Sequence, residues 1–127
     1  MRTIKFRGKS EDNSEWFYGF LQKYQEKHAS RLCICAVSVR TWKDALLYSV
    51  RPDTVGQFTG LLDKNGNEIY EGDILDFNGI IVEIRFVRGV FAFLVKGDLD
   101  EELCGDCRTE LFAKVIGNVY DNPELLK

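Results

Sequence analysis

Two-residue turns set the strongest limit on what this chain can fold into. Asn78-Gly79 and Arg88-Gly89 separate three short apolar runs, residues 73–77, 80–87 and 90–95. A two-residue link between such runs leaves room for an antiparallel hairpin and little else. None of the runs has the length a stable helix needs. Asn65-Gly66 adds a third turn, between runs at 55–62 and 68–70. Asn-Gly is the strongest short hairpin signal because both residues tolerate positive φ, as a type I′ turn requires.

The first half reads the same way. Residues 3–7 place Ile4 and Phe6 on one face of a strand, and 16–24 return as an aromatic strand after the polar turn at 8–15. Residues 32–39 and 45–50 follow as strands, with Cys33 and Cys35 on a shared face. Residues 97–108 are acidic and irregular, with one helical turn expected at 99–103. A last strand is expected at 110–120 and a short turn or helix at 122–126. The fold class is therefore mainly β, either barrel-like or two packed antiparallel sheets. An SH3-like barrel element lies in the C-terminal half, and helices are short at most. A chain of 127 residues makes one domain, with sub-lobes at 1–54 and 55–127 as its natural division. It is long enough to fold without disulfides or metal.

No apolar run approaches the ~18 residues that span a bilayer. The opening M-R-T-I-K-F-R alternates charge with apolar residues and has no signal-peptide core, so the expected location is the cytoplasm. Net charge is −3, unevenly spread: residues 1–51 hold ten Lys/Arg against five Asp/Glu, and residues 52–127 hold seven against fifteen. If that split survives in space, it favours head-to-tail self-association or an acidic partner for the N-terminal part.

The candidate chemistry is thin. Asp63-Lys64-Asn65-Gly66-Asn67-Glu68 invites a calcium loop, but Glu68 stands where that loop needs Gly and Ile74 where it needs Glu. A β-turn accounts for it without an ion. Cys104-Gly105-Asp106-Cys107 with Cys33-Ile34-Cys35 could supply four thiolates to a structural zinc. One C-x-x-C with a C-x-C on a strand falls short of two paired knuckles, so thiols without a cofactor are expected. His28, the single histidine, sits in a polar stretch, and the carboxylates of 98–110 read as a solvated loop. Arg40-Thr41-Trp42-Lys43 and Lys5-Phe6-Arg7 set aromatics among cations, as single-strand nucleic-acid binders do. The pI of about 5.2 argues against that class. Trp16, Tyr18, Trp42, Gln57 and Tyr70 are the candidate binding residues.

Three ordered blocks carry a family resemblance. V-G-Q-F-T-G-L-x-D-x-N-G-x-E-I-Y-E-G-D-I (55–74) resembles the hallmark of the YopX family of phage and prophage proteins. I-K-F-R-G (4–8) with W-F-Y-G (16–19) is similar to that family's N-terminus, and V-I-G-N-V-Y-D-N-P-E-L-L (115–126) to its C-terminus. Segment 23–50 and the cysteines stand outside those blocks. The resemblance implies a small, mainly β, non-enzymatic protein and carries no catalytic residue across. The expected function is a binding or assembly module working through protein–protein contacts, including self-association, with no membrane or small-molecule substrate. The alternatives are a single-strand nucleic-acid-binding barrel and a small enzyme built on a cysteine or carboxylate pair. Within the central block, Gln57, Thr59, Tyr70, Glu71 and Asp73 do not follow from β patterning. They either form buried hydrogen bonds that fix the geometry or present a binding surface.

Overall fold

The computed structural model describes residues 3–25, 27–28, 30–35, 47–95, 101–102 and 108–127. Contacts divide the chain into two units, Met1–Gln57 and Phe58–Lys127. All strand pairings are antiparallel, in two sheets ordered β4-β3-β2-β1-β5-β6 and β10-β9-β8-β7-β11. Among the described residues the fold is mainly β, with one short α-helix and no closed barrel. Of the two architectures the sequence allows, the sheets are the one adopted.

The first unit contains β1 (Phe6–Lys9), β2 (Trp16–Gln25), β3 (Ser30–Cys35), β4 (Leu47–Ser49) and the first two residues of β5 (Gly56–Leu62). Alternation along β2 sorts its side chains by face. Phe17 stacks on Tyr48 with ring centroids 4.0 Å apart, on the face that buries Ile34 and Val50 completely. Gly8 lies opposite Phe17 in the ladder because nothing larger fits there. A Cβ at Gly8 would come within 2.8 Å of Val50 Cβ. A 3-10 turn, Pro52–Thr54, leads into β5. The buried Thr54 hydroxyl donates to the Arg51 carbonyl at 2.6 Å and accepts the Lys9 N–H at 2.9 Å.

The second unit contains the rest of β5, β6 (Glu68–Tyr70), β7 (Asp73–Phe77), β8 (Ile80–Val87), β9 (Val90–Val95), β10 (Glu101–Glu102), α1 (Thr109–Phe112) and β11 (Ala113–Asn118). The β7–β8–β9 meander, with β11 beside β7, stands where an SH3-like barrel element was expected, as part of a five-stranded sheet. Its core gathers Ile69, Leu75, Val82, Ile84, Phe93 and Ala113, with Leu61, Phe77, Val95 and Val115 packed around them. Asn78 (φ 53°) and Gly79 (φ 95°) both take positive φ, as do Arg88 (φ 51°) and Gly89 (φ 84°). Both tight turns thus have the primed geometry that matches strand twist.

Three local expectations need correction. Asn65 does not take positive φ; among these loop residues only Gly66 does, at 83°. The Gly66 N–H closes the turn on the Asp63 carbonyl at 3.0 Å, and the Asp63 N–H closes the loop on the Asn67 carbonyl at 2.8 Å. The Asp63 side chain dictates this form, as shown below. The last strand begins at Ala113, because residues 109–112 coil into α1 with the Leu111 and Phe112 N–H groups both on the Arg108 carbonyl. Glu101 and Glu102 are strand, paired with Leu94 and Phe93, where a helical turn was expected; the remainder of that expectation, and the end of the third strand beyond Cys35, lie outside the described residues.

Gly8→Ala should destabilise the protein by about 1–3 kcal/mol through overpacking against Val50. Urea unfolding would register this as a lower midpoint at unchanged slope.

Candidate functional site

The central block, residues 55–74, is built around the polar contacts of Asp63. This residue is 2% exposed, yet ionisable. A buried carboxylate persists only where hydrogen bonds replace its lost hydration. Asp63 Oδ1 accepts the N–H groups of Asn65 (2.9 Å) and Asn67 (2.8 Å). Oδ2 accepts the Asn67 side-chain amide (3.2 Å) and the N–H of Val115 (3.0 Å), which lies 52 positions along the chain. Lys64 adds a backbone bond to the Ala113 carbonyl at 2.9 Å. The loop tip is thereby fastened to β11, whose other side pairs with β7.

Burial alone would raise the Asp63 carboxyl's affinity for its proton. The bonds from Val115, Asn67 and Asn65 outweigh it and hold the group below the ordinary carboxylate range. The depressed folded-state value means that the unfolded chain binds this proton more tightly. The resulting stability is complete above the ordinary carboxylate value and is lost as pH falls through that range toward the folded-state value.

The other polar residues of the block are placed similarly. Thr59 donates its hydroxyl to the Ile69 carbonyl at 2.7 Å and accepts the Leu61 N–H at 3.1 Å. These bonds bridge the irregular stretch of the β5–β6 ladder at the left-handed Gly60 (φ 87°). Asp73, buried, accepts the Tyr70 N–H through Oδ2 at 2.7 Å. That bond bends the chain through Gly72 (φ 93°), whose N–H reaches the Ile84 carbonyl and whose carbonyl accepts from Val119. The Tyr70 ring is buried against Phe58 at 5.5 Å, and its hydroxyl reaches Glu68 at 3.4 Å. For Thr59, Tyr70 and Asp73, hydrogen bonds that fix the geometry therefore account for the residues. The C-terminal block follows suit. Asn118 Oδ1 accepts from Tyr120 and Asp121, and Asn122 Oδ1 fills the space beside Gly117 that a Cβ would occupy.

The remaining sequence-predicted residues separate. Gln57 is half-buried and pairs with Phe6 in the ladder. Trp16 is half-buried, with the Arg7 guanidinium 4.9 Å and the Lys9 ammonium 6.0 Å from its ring centroid. Tyr18 is 47% exposed on the same face. Trp42, Cys104 and Cys107 lie outside the described residues, as does the side chain of Cys35. Cys33 is a buried free thiol 4.0 Å from the Ser49 hydroxyl. His28 is exposed. Among the described residues no three His, Cys, Asp or Glu side chains gather as a metal site, and no helix is long and apolar enough to cross a membrane. Sequence reasoning missed Phe20, which is 61% exposed. Its signal was available: it follows Trp16 and Tyr18 at the two-residue spacing of one strand face.

Asp63→Asn should lower stability by about 1–3 kcal/mol near neutral pH, because an amide cannot serve all four donors. The deficit should shrink in acid, where the parent protein loses the same contribution. Thermal unfolding of both proteins across the acid range would show the two curves converging.

No curated protein matches the chain. Two solved structures are similar to it over its whole length. Protein EF1440 from Enterococcus faecalis is 25% identical, with a TM-score of 0.63 and 100% of both chains covered. Protein yopX from Bacillus subtilis is 20% identical, with a TM-score of 0.52, covering 100% of this chain and 98% of that one, and shares the fold. The family described as "YopX protein" matches residues 5–127. That match takes in the central and C-terminal blocks whole and all but Ile4 of the N-terminal one: the chain belongs to the YopX family.

Proposed function

We propose that this chain is a small non-enzymatic binding or assembly module, encoded by a phage or prophage and working in the bacterial cytoplasm through protein–protein contacts. The observation that carries this reading is an apolar face longer than its cover. The core face of the second sheet is covered at its centre by Ile69 and Leu61. At one end Ile80, 52% exposed, pairs across from Phe77, whose ring meets that of Phe112 at 6.4 Å. Phe112 is itself 46% exposed. At the other end Phe86, 50% exposed, meets Phe91 edge-to-face at 5.0 Å.

Apolar side chains that continue a core out into solvent are the raw material of a protein interface. The Ile80–Phe77–Phe112 end is the better anchor, because an aromatic backed by packed neighbours loses little freedom on binding. The simplest occupant is a second copy of the chain, a reading to which the opposite charge balance of the two halves also lends support.

Native mass spectrometry at micromolar concentration should give multiples of the chain mass. Phe112→Ser, at an exposed position, should leave the fold intact and weaken the assembly about tenfold or more. A bare monomer for the parent protein, or an assembly indifferent to Phe112→Ser, would overturn this reading.

A further inference from the structure

The first unit has an apolar surface of its own, built on β2. Alternation sets Trp16, Tyr18 and Phe20 in a row on one face of that strand. Register extends the row sideways. Phe20 lies across from Cys35, and Cys35 from Leu47 on β4, so Leu47 shares the face. Tyr18, Phe20 and Leu47 are 47%, 61% and 37% exposed, and Trp16 is half-buried. Large apolar side chains gathered in solvent on one strand face mark a surface that another molecule covers.

The two ends of β2 differ in charge. Before it, residues 9–15 hold Lys9 against Glu11, Asp12 and Glu15, a balance of −2. At its other end, residues 23–31 hold Lys23, Lys27 and Arg31 against Glu26, a balance of +2. Glu11, Asp12, Glu15, Lys23, Lys27 and Arg31 are all exposed. These balances count every charge in each stretch, so they already include any pairing within it. The aromatic row thus runs from a negative end towards a positive one.

We infer that a second copy of the chain docks on this face, about a two-fold axis that crosses β2 between Tyr18 and Phe20. An axis lying in the interface across the strand reverses its direction, so the two β2 strands run antiparallel. Two features select this occupant together. Positions 18 and 20 are equally far from the axis, so Tyr18 of each copy lies over Phe20 of the other. The same operation exchanges the ends of the strand, so each acidic end meets the basic end of the other copy. A parallel arrangement would set like charge against like. An unrelated partner must match rings and charges separately, whereas the chain matches both with one surface. Exposed charges contribute little singly, but a two-fold contact repeats every pair. The face lies on the first unit and uses none of the side chains around Phe112, so the inference does not rest on that contact.

The test is sedimentation velocity of the full chain carrying Phe112→Ser, at about 100 μM and low salt. A dimer is expected, and adding Phe20→Ser should weaken it about tenfold or more. Glu11→Lys with Asp12→Lys turns the acidic end from −2 to +2; Lys23→Glu with Lys27→Glu turns the basic end from +2 to −2. Each double variant then sets like charge against like at both ends and should weaken the dimer about tenfold. Mixing the two restores opposite charge at both ends, and a heterodimer of parent strength should form. Misfolding of either variant cannot be rescued by mixing, and circular dichroism checks the fold independently. A folded monomer with Phe112→Ser alone would overturn this inference, leave the Phe112 contact standing and give the face to a partner of another kind. A dimer indifferent to Phe20→Ser, or a mixture that stays monomeric, would also overturn it. An assembly that ignores Phe112→Ser and dissolves with Phe20→Ser would support this face and overturn the Phe112 contact.

Discussion

A single buried carboxylate organises the second unit. Asp63 accepts four hydrogen bonds, three within its own loop and one from Val115 on β11. The loop bonds replace a primed turn with a bulged one ending on the left-handed Gly66. The bond to Val115 and the neighbouring bond from Lys64 to Ala113 engage the side of β11 turned away from β7. Sheet edges with unsatisfied N–H groups invite pairing with foreign strands, and proteins protect them by covering the edge. Here a side chain and a loop do so. The hydrophobic core of Ile69, Leu75, Val82, Ile84 and Phe93 is thereby closed where the hairpin meets the sheet. Leu61 and Ile69 can cover that core only if the hairpin tip is held in place.

Much of this was legible in the sequence. The strands at 68–70, 73–77, 80–87 and 90–95 have the predicted limits, because two-residue turns leave no freedom in where a strand stops. Arg88-Gly89 obeys the same rule even though arginine has no liking for positive φ, so the ladder imposes that conformation. What escaped was tertiary in origin. Asn65-Gly66 has the strongest primed-turn signature in the chain, yet a carboxylate two residues earlier, satisfied partly by a strand 52 positions away, selects another turn. No local pattern carries that information. Residues 110–112 read as strand because their apolar content fits either structure, and the distinction rests on where the Arg108 carbonyl finds donors. For the candidate site, the aromatic row on β2 was partly visible as Trp16 and Tyr18. The cations above Trp16 became visible only with the β1–β2 register.

The quoted family block thus serves largely as construction. Thr59 bridges a bulge, Asp73 caps a bend, Gly72 supplies a left-handed turn and Tyr70 fills the core. The large exposed apolar side chains lie mostly elsewhere. On the first unit they include Tyr18 and Phe20, and on the second Ile80, Phe86 and Phe112. A scaffold specified by buried polar residues leaves such surfaces free to differ, since nothing in the ladder depends on an exposed side chain.

The most direct measurement is an NMR titration that follows the Asp63 side-chain carboxyl together with the amide of Val115. The account predicts that Asp63 titrates below the ordinary carboxylate range. The Val115 and Asn67 amide resonances should move in step with it. An Asp63 that titrates at the ordinary value, with the Val115 amide indifferent, would mean that the carboxylate does not hold the hairpin to β11.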